Sequence, residues 1–179
     1  MSWLNRNWTW ILATLVVAAL VHVASLYAIP RVIMWRTMAA IARERGVNAM
    51  GFGRRPTAES RGVVRPSPDL FYSACAFDLD KAGGALRVHA KGMPRTYWSV
   101  SAFAANSDNF FVTNDRKQAS DSVDFLIIAR GAFIDDTKLP VVVAPSNRGI
   151  VLFRTLINDE THVAEIDAAR RNAGCEAYP

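Results

Sequence analysis

The longest apolar stretch of the chain covers residues 10–29 and reads WILATLVVAALVHVASLYAI, without a single Asp, Glu, Lys or Arg. A helix rises about 1.5 Å per residue, so such a stretch covers roughly 30 Å, the thickness of the hydrocarbon layer of a bilayer. Trp8 and Tyr27 lie near its two ends, where aromatic rings favour the boundary between membrane and water. We expect Pro30 to end the helix, because proline cannot donate to the helical hydrogen-bond ladder. The pattern predicts a transmembrane anchor over residues 1–30.

A cleaved signal peptide is the alternative interpretation of the same stretch. Its apolar core would be shorter, about 7–15 residues, and small residues would mark a cleavage site. Leu26-Tyr27-Ala28 matches such a site poorly, so an uncleaved anchor is favoured. His22 lies inside the stretch, but a single neutral imidazole is tolerated in such a helix. We expect no proton-transfer or ligand role for it.

The segment after the apolar stretch combines a second helical pattern with a loop. Residues 31–46, RVIMWRTMAAIARERG, place Met34 and Met38 one turn apart on the same face. This amphipathic helix could continue the anchor beyond a proline kink, lie on the membrane surface, or pack on the domain that follows. Residues 47–62 are rich in glycine, with proline and arginine, and are typical of a loop. We therefore predict an amphipathic helix and a linker over residues 31–62.

From Val63 onwards the hydrophobic pattern changes from the helical repeat to an alternation of two, which is typical of strands. Turn residues separate the segments about every 8–12 residues. This spacing favours an antiparallel sandwich or barrel over an α/β fold. The predicted strands cover residues 69–79, 85–90, 96–103, 109–113, 123–130, 141–144 and 150–154.

A helical pattern returns at residues 159–172. Asp159 can cap its start, Val163 and Ile166 supply an inward stripe, and Gly174 can stop it. The chain is thus predicted to be mainly β, with an N-terminal transmembrane helix, an antiparallel β-sandwich and a C-terminal helix.

The charge of the chain is mildly basic, at +5 from 21 basic and 16 acidic residues, and the arginines are scattered. A nucleic-acid interface would need basic residues clustered on one element, so no nucleic-acid partner is predicted. An anionic lipid surface suits the excess better, and the lipid bilayer is the predicted partner. The roughly 120 residues after position 60 have room for one hydrophobic core.

The two cysteines, Cys75 and Cys175, lie far apart and fit neither a CxxC motif nor a zinc-ligand spacing. A disulfide that closes a large loop is one interpretation, provided that the domain lies in an oxidising compartment. Two unpaired thiols are the alternative.

Motifs that identify an enzyme class are absent from the sequence. It contains no G-x-S-x-G, no phosphate-binding or dinucleotide-binding glycine loop, and no H-E-x-x-H. His89 and His162 are the histidines outside the apolar stretch, and neither has a ligand-type residue at metal spacing. We expect both imidazoles to be exposed. The sequence therefore predicts no catalytic residues, no metal and no cofactor.

Polar groups lie beside aromatic residues in three segments, 65–72, 95–98 and 106–110. Sites for sugars and small ligands combine flat apolar faces with convergent hydrogen-bonding groups in this way. The same residues could instead form a framework. In that case Asp69 and Asn109 would satisfy buried backbone groups, the arginines would pair with carboxylates, and the aromatics would lie in the core.

The run VVRPSPDLFYSACAFDLDKAGGALRVHAKGMPRTYWSVSAFAANSDNFF resembles the domain of unknown function 1254 family. Ser67 and Leu70 differ from the Asn and Thr often found there, and the resemblance extends over residues 60–172. It implies a jelly-roll-like β-sandwich in the bacterial envelope and no established activity. The matching residues are Val63, Arg65, Pro66, Asp69, Tyr72, Ser73, Asp78, Leu79, Arg95, Tyr97, Ser99, Asn109 and Phe110.

The resemblance and the cysteine pair favour a domain over residues 63–179 that is exported to the periplasm. The prediction is a single-pass protein of the bacterial inner membrane. The positive-inside rule gives the opposite orientation, because most basic residues near the anchor follow it. Those residues are Arg31, Arg36, Arg43 and Arg45, against Arg6 before the anchor.

The leading functional hypothesis is a non-enzymatic envelope module that binds a small molecule, a glycan or a membrane-protein partner on the sandwich. One alternative is an envelope hydrolase with paired carboxylates about 5–10 Å apart, namely Asp69 and another carboxylate such as Asp108. Another is a structural subunit of a membrane complex that docks through residues 31–46. The predicted ligand-binding residues are Arg65, Asp69, Tyr72, Arg95, Tyr97 and Asn109.

Overall fold

One long helix, α1, runs from Trp3 to Arg45 and contains Pro30 in its interior. The computed structural model describes residues 3–61, 65–118, 120–135 and 137–178. The prediction that Pro30 ends the helix is wrong. An interior proline removes one backbone hydrogen bond and can kink a helix without ending it, and several good helix formers follow Pro30 here. The amphipathic segment therefore continues the apolar helix and also packs on the domain, so two of the three alternatives hold together.

The end of α1 is fixed to the β-rich part of the chain. Gly46 has a φ of 91°, and its N–H donates to the carbonyl of Ala42 at 2.9 Å, which stops the helix. Asn48 then pairs with Asp78. Its side chain donates to the Asp78 carbonyl at 3.0 Å and accepts from the Asp78 N–H at 2.8 Å. Met34, one of the two predicted stripe methionines, is buried.

Within the described residues, nine strands form two sheets. The five-stranded sheet is antiparallel throughout and has the order β1-β2-β8-β4-β5, whereas the four-stranded sheet has the order β7-β6-β3-β9 and is mixed. The strands are β1 Gly51–Phe52, β2 Leu70–Asp78, β3 Ala85–Ala90, β4 Trp98–Ala104, β5 Asn109–Asn114, β6 Val123–Ile128, β7 Val141–Val143, β8 Arg148–Leu156 and β9 Gly174–Ala177.

The seven predicted strands are all present, and the differences are local. The predicted loop over 47–62 is wrong at β1, which pairs with Ser73 and Ala74 of β2. A purely antiparallel arrangement is wrong at β6 and β7, which pair in parallel because the chain travels back along β6 before β7 begins. The predicted start of the domain, Val63, lies outside the described residues.

The segment before β2 is held by side-chain contacts. The Arg55 guanidinium donates to the carbonyl of Pro68 at 2.8 Å and forms a bidentate ion pair with Glu160, at 2.8 and 2.7 Å. Arg55 therefore attaches this segment to the loop before β2 and to the helical turn that begins at Glu160.

Buried residues from both sheets form one hydrophobic core. Phe77, Val100 and Phe153 of the five-stranded sheet share this core with Val88 and Phe125 of the other sheet. Alternate residues point into it, as the period of two predicts.

A disulfide joins Cys75 of β2 to Cys175 of β9, so it links the two sheets. This confirms the disulfide interpretation. His89 on β3 lies beside β9, with Nε2 at 3.4 Å from Glu176, and is half-buried rather than freely exposed. The unpredicted strand β9 accounts for that difference.

The C-terminal helix begins with a 3₁₀ turn at Glu160–His162 and continues as α2 over Val163–Arg170. Asp159 caps it by accepting from the Thr161 N–H at 2.8 Å, as predicted for the start. Phe71 and Ile166 pack together in a small separate cluster beneath α2.

The five-stranded sheet consequently has two distinct ends. We call the end with Asp78, Ala104 and Arg148 the α1 end, because α1 lies against it, and the end with Leu70 and Leu156 the α2 end. The nine residues of β8 separate them by roughly 30 Å.

Candidate ligand-binding clefts at the α2 end

The loop between β3 and β4 carries the polar and aromatic residues that the sequence singled out. Met93 is buried and its N–H donates to the Asp121 carbonyl at 2.9 Å, which fixes the base of the loop. Trp98 is buried as β4 begins. Tyr97 precedes it on the opposite side of the strand and is 37% exposed. The alternation of the strand thus turns the Tyr97 side chain outward.

The first cleft, which we call the Tyr97 cleft, has a volume of about 590 Å³. Its walls are the β3–β4 loop and the residues after β5. The Asp115 N–H donates to the Trp98 carbonyl at 3.1 Å and brings these walls together. The lining residues are Met93, Pro94, Arg95, Thr96, Tyr97, Trp98, Asp115, Arg116, Gln118, Ser120 and Asp121.

Two polar atoms in the walls of the Tyr97 cleft are buried without a hydrogen-bond partner among the described residues. They are the hydroxyl of Thr96 and one carboxylate oxygen of Asp115. A buried polar atom without a partner costs stability unless a ligand or water satisfies it. The charged side chains of the cleft balance in sign, since two arginines and two aspartates line it, namely Arg95, Arg116, Asp115 and Asp121. This arrangement suits an uncharged ligand with several hydroxyl groups.

The second cleft lies between the same loop and the helical segment, and we call it the α2 cleft. It has a volume of about 450 Å³. His162 is half-exposed, and its Nδ1 lies 3.1 Å from an Asp159 carboxylate oxygen. Hydrogen bonds from Thr161 and His162 lower the pKa of Asp159, which keeps it ionised. The lining residues are Pro94, Arg95, Thr96, Asn158, Asp159, His162, Glu165, Ile166 and Ala169.

Four of the six predicted ligand-binding residues lie at the α2 end. Arg95 and Tyr97 line the clefts. Asp69 is exposed at the same end of the sheet, and its carbonyl accepts from the Ile157 N–H at 2.8 Å. The Tyr72 hydroxyl accepts from the Ser67 N–H at 3.0 Å, so it supports the loop before β2.

Like Asp69 and Tyr72, the remaining two predicted residues do not line either cleft. Arg65 is exposed in the loop before β2. Asn109 pairs with Phe103 and therefore lies at the α1 end. Neither Asp69 nor Asn109 is buried, so they do not serve the framework role either.

The carboxylates proposed for a hydrolase lie far apart. Asp69 neighbours the end of β8, whereas the Asp108 carbonyl accepts from the Ala104 N–H at the α1 end. The length of β8 puts them more than about 20 Å from each other, well beyond the separation that paired carboxylates need. Within the described ranges, no group of three His, Cys, Asp or Glu residues is placed to hold a metal ion.

Comparison with known proteins identifies the family. A family model described as "Protein of unknown function (DUF1254)" matches residues 47–177. The chain belongs to the DUF1254 family. The resemblance seen in the sequence motifs is therefore confirmed. A search of curated proteins found no match.

Two solved structures share the fold. The VPA0106 protein from Vibrio parahaemolyticus is similar at a TM-score of 0.64 and 13% identity, over 85% of this chain and 35% of that one. An uncharacterized protein from Burkholderia cenocepacia is similar at a TM-score of 0.51 and 15% identity, over 77% of this chain and 36% of that one. This DUF1254 chain thus spans about a third of the length of either protein.

Several lining residues of the DUF1254 clefts were not found from the sequence. Thr96 lies between two predicted site residues, Arg95 and Tyr97. That position is the one sequence signal that could have marked Thr96 as a lining residue. Asp115 and Asp159 come from loops about twenty and sixty residues later in the chain. Only the pairing of β4 with β5 and β8 brings those loops to the same end.

Proposed function

We propose that this DUF1254 protein is a membrane-anchored envelope module that binds a small glycan or polyol in the Tyr97 cleft. The observation that carries the proposal is the composition of that cleft. It joins an exposed tyrosine ring to balanced charges and to buried polar atoms that have no hydrogen-bond partner in the part of the chain that the structure describes. Flat aromatic faces and convergent hydrogen-bonding groups are what a sugar ring requires.

The anchor is supported by the environment of the apolar stretch. Residues 6–45 contain a helix long and apolar enough to cross a membrane, and none of its most apolar window is buried against the rest of the chain. A helix that is apolar all round and unburied needs an apolar surrounding. A bilayer supplies it.

A periplasmic location is supported by the disulfide. Disulfides persist in oxidising compartments and are rare in the cytosol. The Cys75–Cys175 bond links the two sheets, whose buried residues share one core, and we infer a jelly-roll-like β-sandwich from that arrangement. The basic residues after the anchor favour the opposite orientation.

Orientation is tested by fusing alkaline phosphatase and, separately, a fluorescent protein to the C-terminus. Phosphatase is active only outside the cytoplasm, so we expect phosphatase activity and little fluorescence. Strong fluorescence with an inactive phosphatase would overturn the periplasmic assignment.

Ligand binding is tested with full-length protein in mild detergent against a panel of oligosaccharides, by saturation-transfer NMR. We expect a subset to bind and Tyr97→Ala to weaken that binding about tenfold, because one stacking face is lost. Phe133→Ala is the matched control, since Phe133 is an exposed aromatic residue outside both clefts. Equal weakening in both variants, or no binding by the wild type, would contradict the proposed site.

A further inference from the structure

A third cleft, at the α1 end, combines arginines with an apolar wall. It has a volume of about 450 Å³ and lies between α1 and two loops of the domain. We call it the α1 cleft. Its lining residues are Arg31, Trp35, Met38, Ala104, Ala105, Asn106, Pro145, Ser146 and Arg148.

The floor of the α1 cleft is held by the backbone and side chains of its own loops. The Ser146 hydroxyl accepts from the Ala105 N–H at 3.0 Å and donates to the Arg148 carbonyl at 2.7 Å. The Asn106 amide donates to Asp108. These contacts link the β4–β5 and β7–β8 loops, so the cleft is preformed.

The charge of the α1 cleft is positive. Arg31 donates one N–H to the Tyr27 carbonyl at 2.8 Å and has no carboxylate within ion-pair distance among the described residues. Arg148 uses its Nε on Asp78, at 3.0 Å, while its side chain is 63% exposed. Within the part of the chain that the structure describes, none of the lining residues is acidic. Two guanidinium groups with free N–H donors therefore face an apolar wall, which suits an amphiphilic anion.

The position of the α1 cleft along α1 indicates where such an anion would come from. Arg31 lies two residues beyond the apolar stretch, or roughly 3 Å along the helix axis. Trp35 follows one turn later and is 65% exposed. Basic and tryptophan side chains at this height are typical of the lipid headgroup layer.

We propose that the α1 cleft binds the phosphodiester headgroup of an anionic phospholipid. Arg31 and Arg148 contact the phosphate, and Trp35 and Met38 contact the glycerol and the first methylene groups. The inference rests on the proposed function, because a headgroup reaches the cleft only if residues 10–29 lie in the bilayer.

The test uses full-length protein released from detergent micelles and native mass spectrometry with added phosphatidylglycerol or phosphatidylcholine. We expect one retained phosphatidylglycerol per chain, about tenfold weaker retention in Arg31→Gln/Arg148→Gln, and weak phosphatidylcholine retention throughout. Arg36→Gln/Arg130→Gln is the matched control, because both arginines are exposed, lie outside the cleft and carry the same charge. The control pair should change retention less than twofold.

Arg148 also pairs with the buried Asp78, so the double variant could lose stability. Arg31→Gln alone is therefore the second variant, and it should weaken retention about threefold with an unchanged unfolding midpoint. Equal loss in the control pair, or equal retention of the two lipids, would overturn the site. Displacement of the lipid by millimolar glycerol phosphate would identify a free phosphate as the ligand instead.

Extraction of membranes with alkaline carbonate separates this inference from the anchor. If the wild-type chain is released, the anchor is wrong and the cleft has no headgroup to bind. If the chain stays in the membrane and both arginine variants retain phosphatidylglycerol like the wild type, only the headgroup site is wrong.

Discussion

The two ends of the five-stranded sheet differ in how their polar groups are used. At the α1 end, the side chains of Ser146 and Asn48 hydrogen-bond to a neighbouring loop and strand, and that of Asn106 hydrogen-bonds within its own loop. At the α2 end, Thr96 and Asp115 contribute buried polar atoms without partners among the described residues. The same strands thus support one end suited to attachment and another suited to recognition.

The two helices are also held differently. Met34 of α1 is buried and apolar, whereas α2 is held by Arg170, which is 1% exposed. The Arg170 guanidinium donates to the Tyr72 and Gly53 carbonyls at 3.1 and 2.8 Å, and stacks on Phe71 at 4.3 Å. Burial lowers its pKa, and its ion pair with Asp167 opposes that effect. The α2 end therefore depends on a buried charge.

The largest expected effect is that of removing the disulfide, which belongs to neither end alone. Cys75→Ala/Cys175→Ala removes a cross-link with a sequence separation of 100, which should cost about 4–5 kcal/mol of unfolding free energy. Denaturant titration of the full chain in mild detergent, followed by circular dichroism of the β-sheet signal, measures it. Reduced wild-type protein should match the variant. An unchanged midpoint in both samples would show that the cross-link does not stabilise the fold.

Arg170→Met should affect the α2 end selectively. Loss of this cation leaves Asp167 without its buried partner and should cost about 3–4 kcal/mol. Hydrogen exchange should speed up in α2 and β1 before it does around Asn48. Arg171→Met is the control and should cost under about 1 kcal/mol, because Arg171 is half-exposed. An equal loss of amide protection at both ends would show that the α1 end and the α2 end do not open independently.

Gly149→Ala is the counterpart at the α1 end. A Cβ there would lie 2.1 Å from the Phe103 carbonyl and 2.5 Å from the Phe77 ring, so overpacking should cost about 1–3 kcal/mol. Gly53 lies towards the α2 end, and a Cβ there would lie 3.1 Å from its nearest atom. Gly53→Ala should therefore cost less unfolding free energy than Gly149→Ala. Thermal unfolding of both variants ranks them. A larger effect at Gly53 would contradict the close contact at Gly149.

The smallest effect is expected from acid. Burial alone would raise the pKa of Asp167, but hydrogen bonds from Arg171 and Arg170 lower it below its usual value. A lowered folded-state pKa gives stability that is present above the unfolded-state pKa, about 3.9, and is lost as pH falls through the folded-state pKa. Unfolding midpoints between pH 6 and pH 3 should therefore fall more steeply in the wild type than in Asp167→Asn. Equal slopes of the unfolding midpoint against pH in the two proteins would show that Asp167 does not cause the acid dependence.

Local periodicity predicted most of the fold. Seven strands, the C-terminal helix and the disulfide follow from alternation, a capping Asp159 and two cysteines. β1 and β9 were missed because two to four residues are too few to carry a period. The prediction that Pro30 ends the helix failed because losing one backbone hydrogen bond costs less than the helix preference of the residues on both sides contributes.

The clefts were less predictable than the fold. Arg95 and Tyr97 were picked out because they lie in one short segment, 95–98, that mixes polar and aromatic residues. Asp115 and His162 were not, since a cleft between loops depends on the order of strands in the sheet, which alternation does not encode. Asn109 was grouped with them by composition, but it lies at the other end of β4.

The cross-link between Cys75 and Cys175 encloses β3 to β8 and α2 in a covalent ring, whereas α1 and β1 stay outside it. A protease that nicks the exposed loop around Phe133 would leave both pieces joined, and they would part on a gel only after reduction. A nick near Arg61 would instead free the ring from α1 without any reductant.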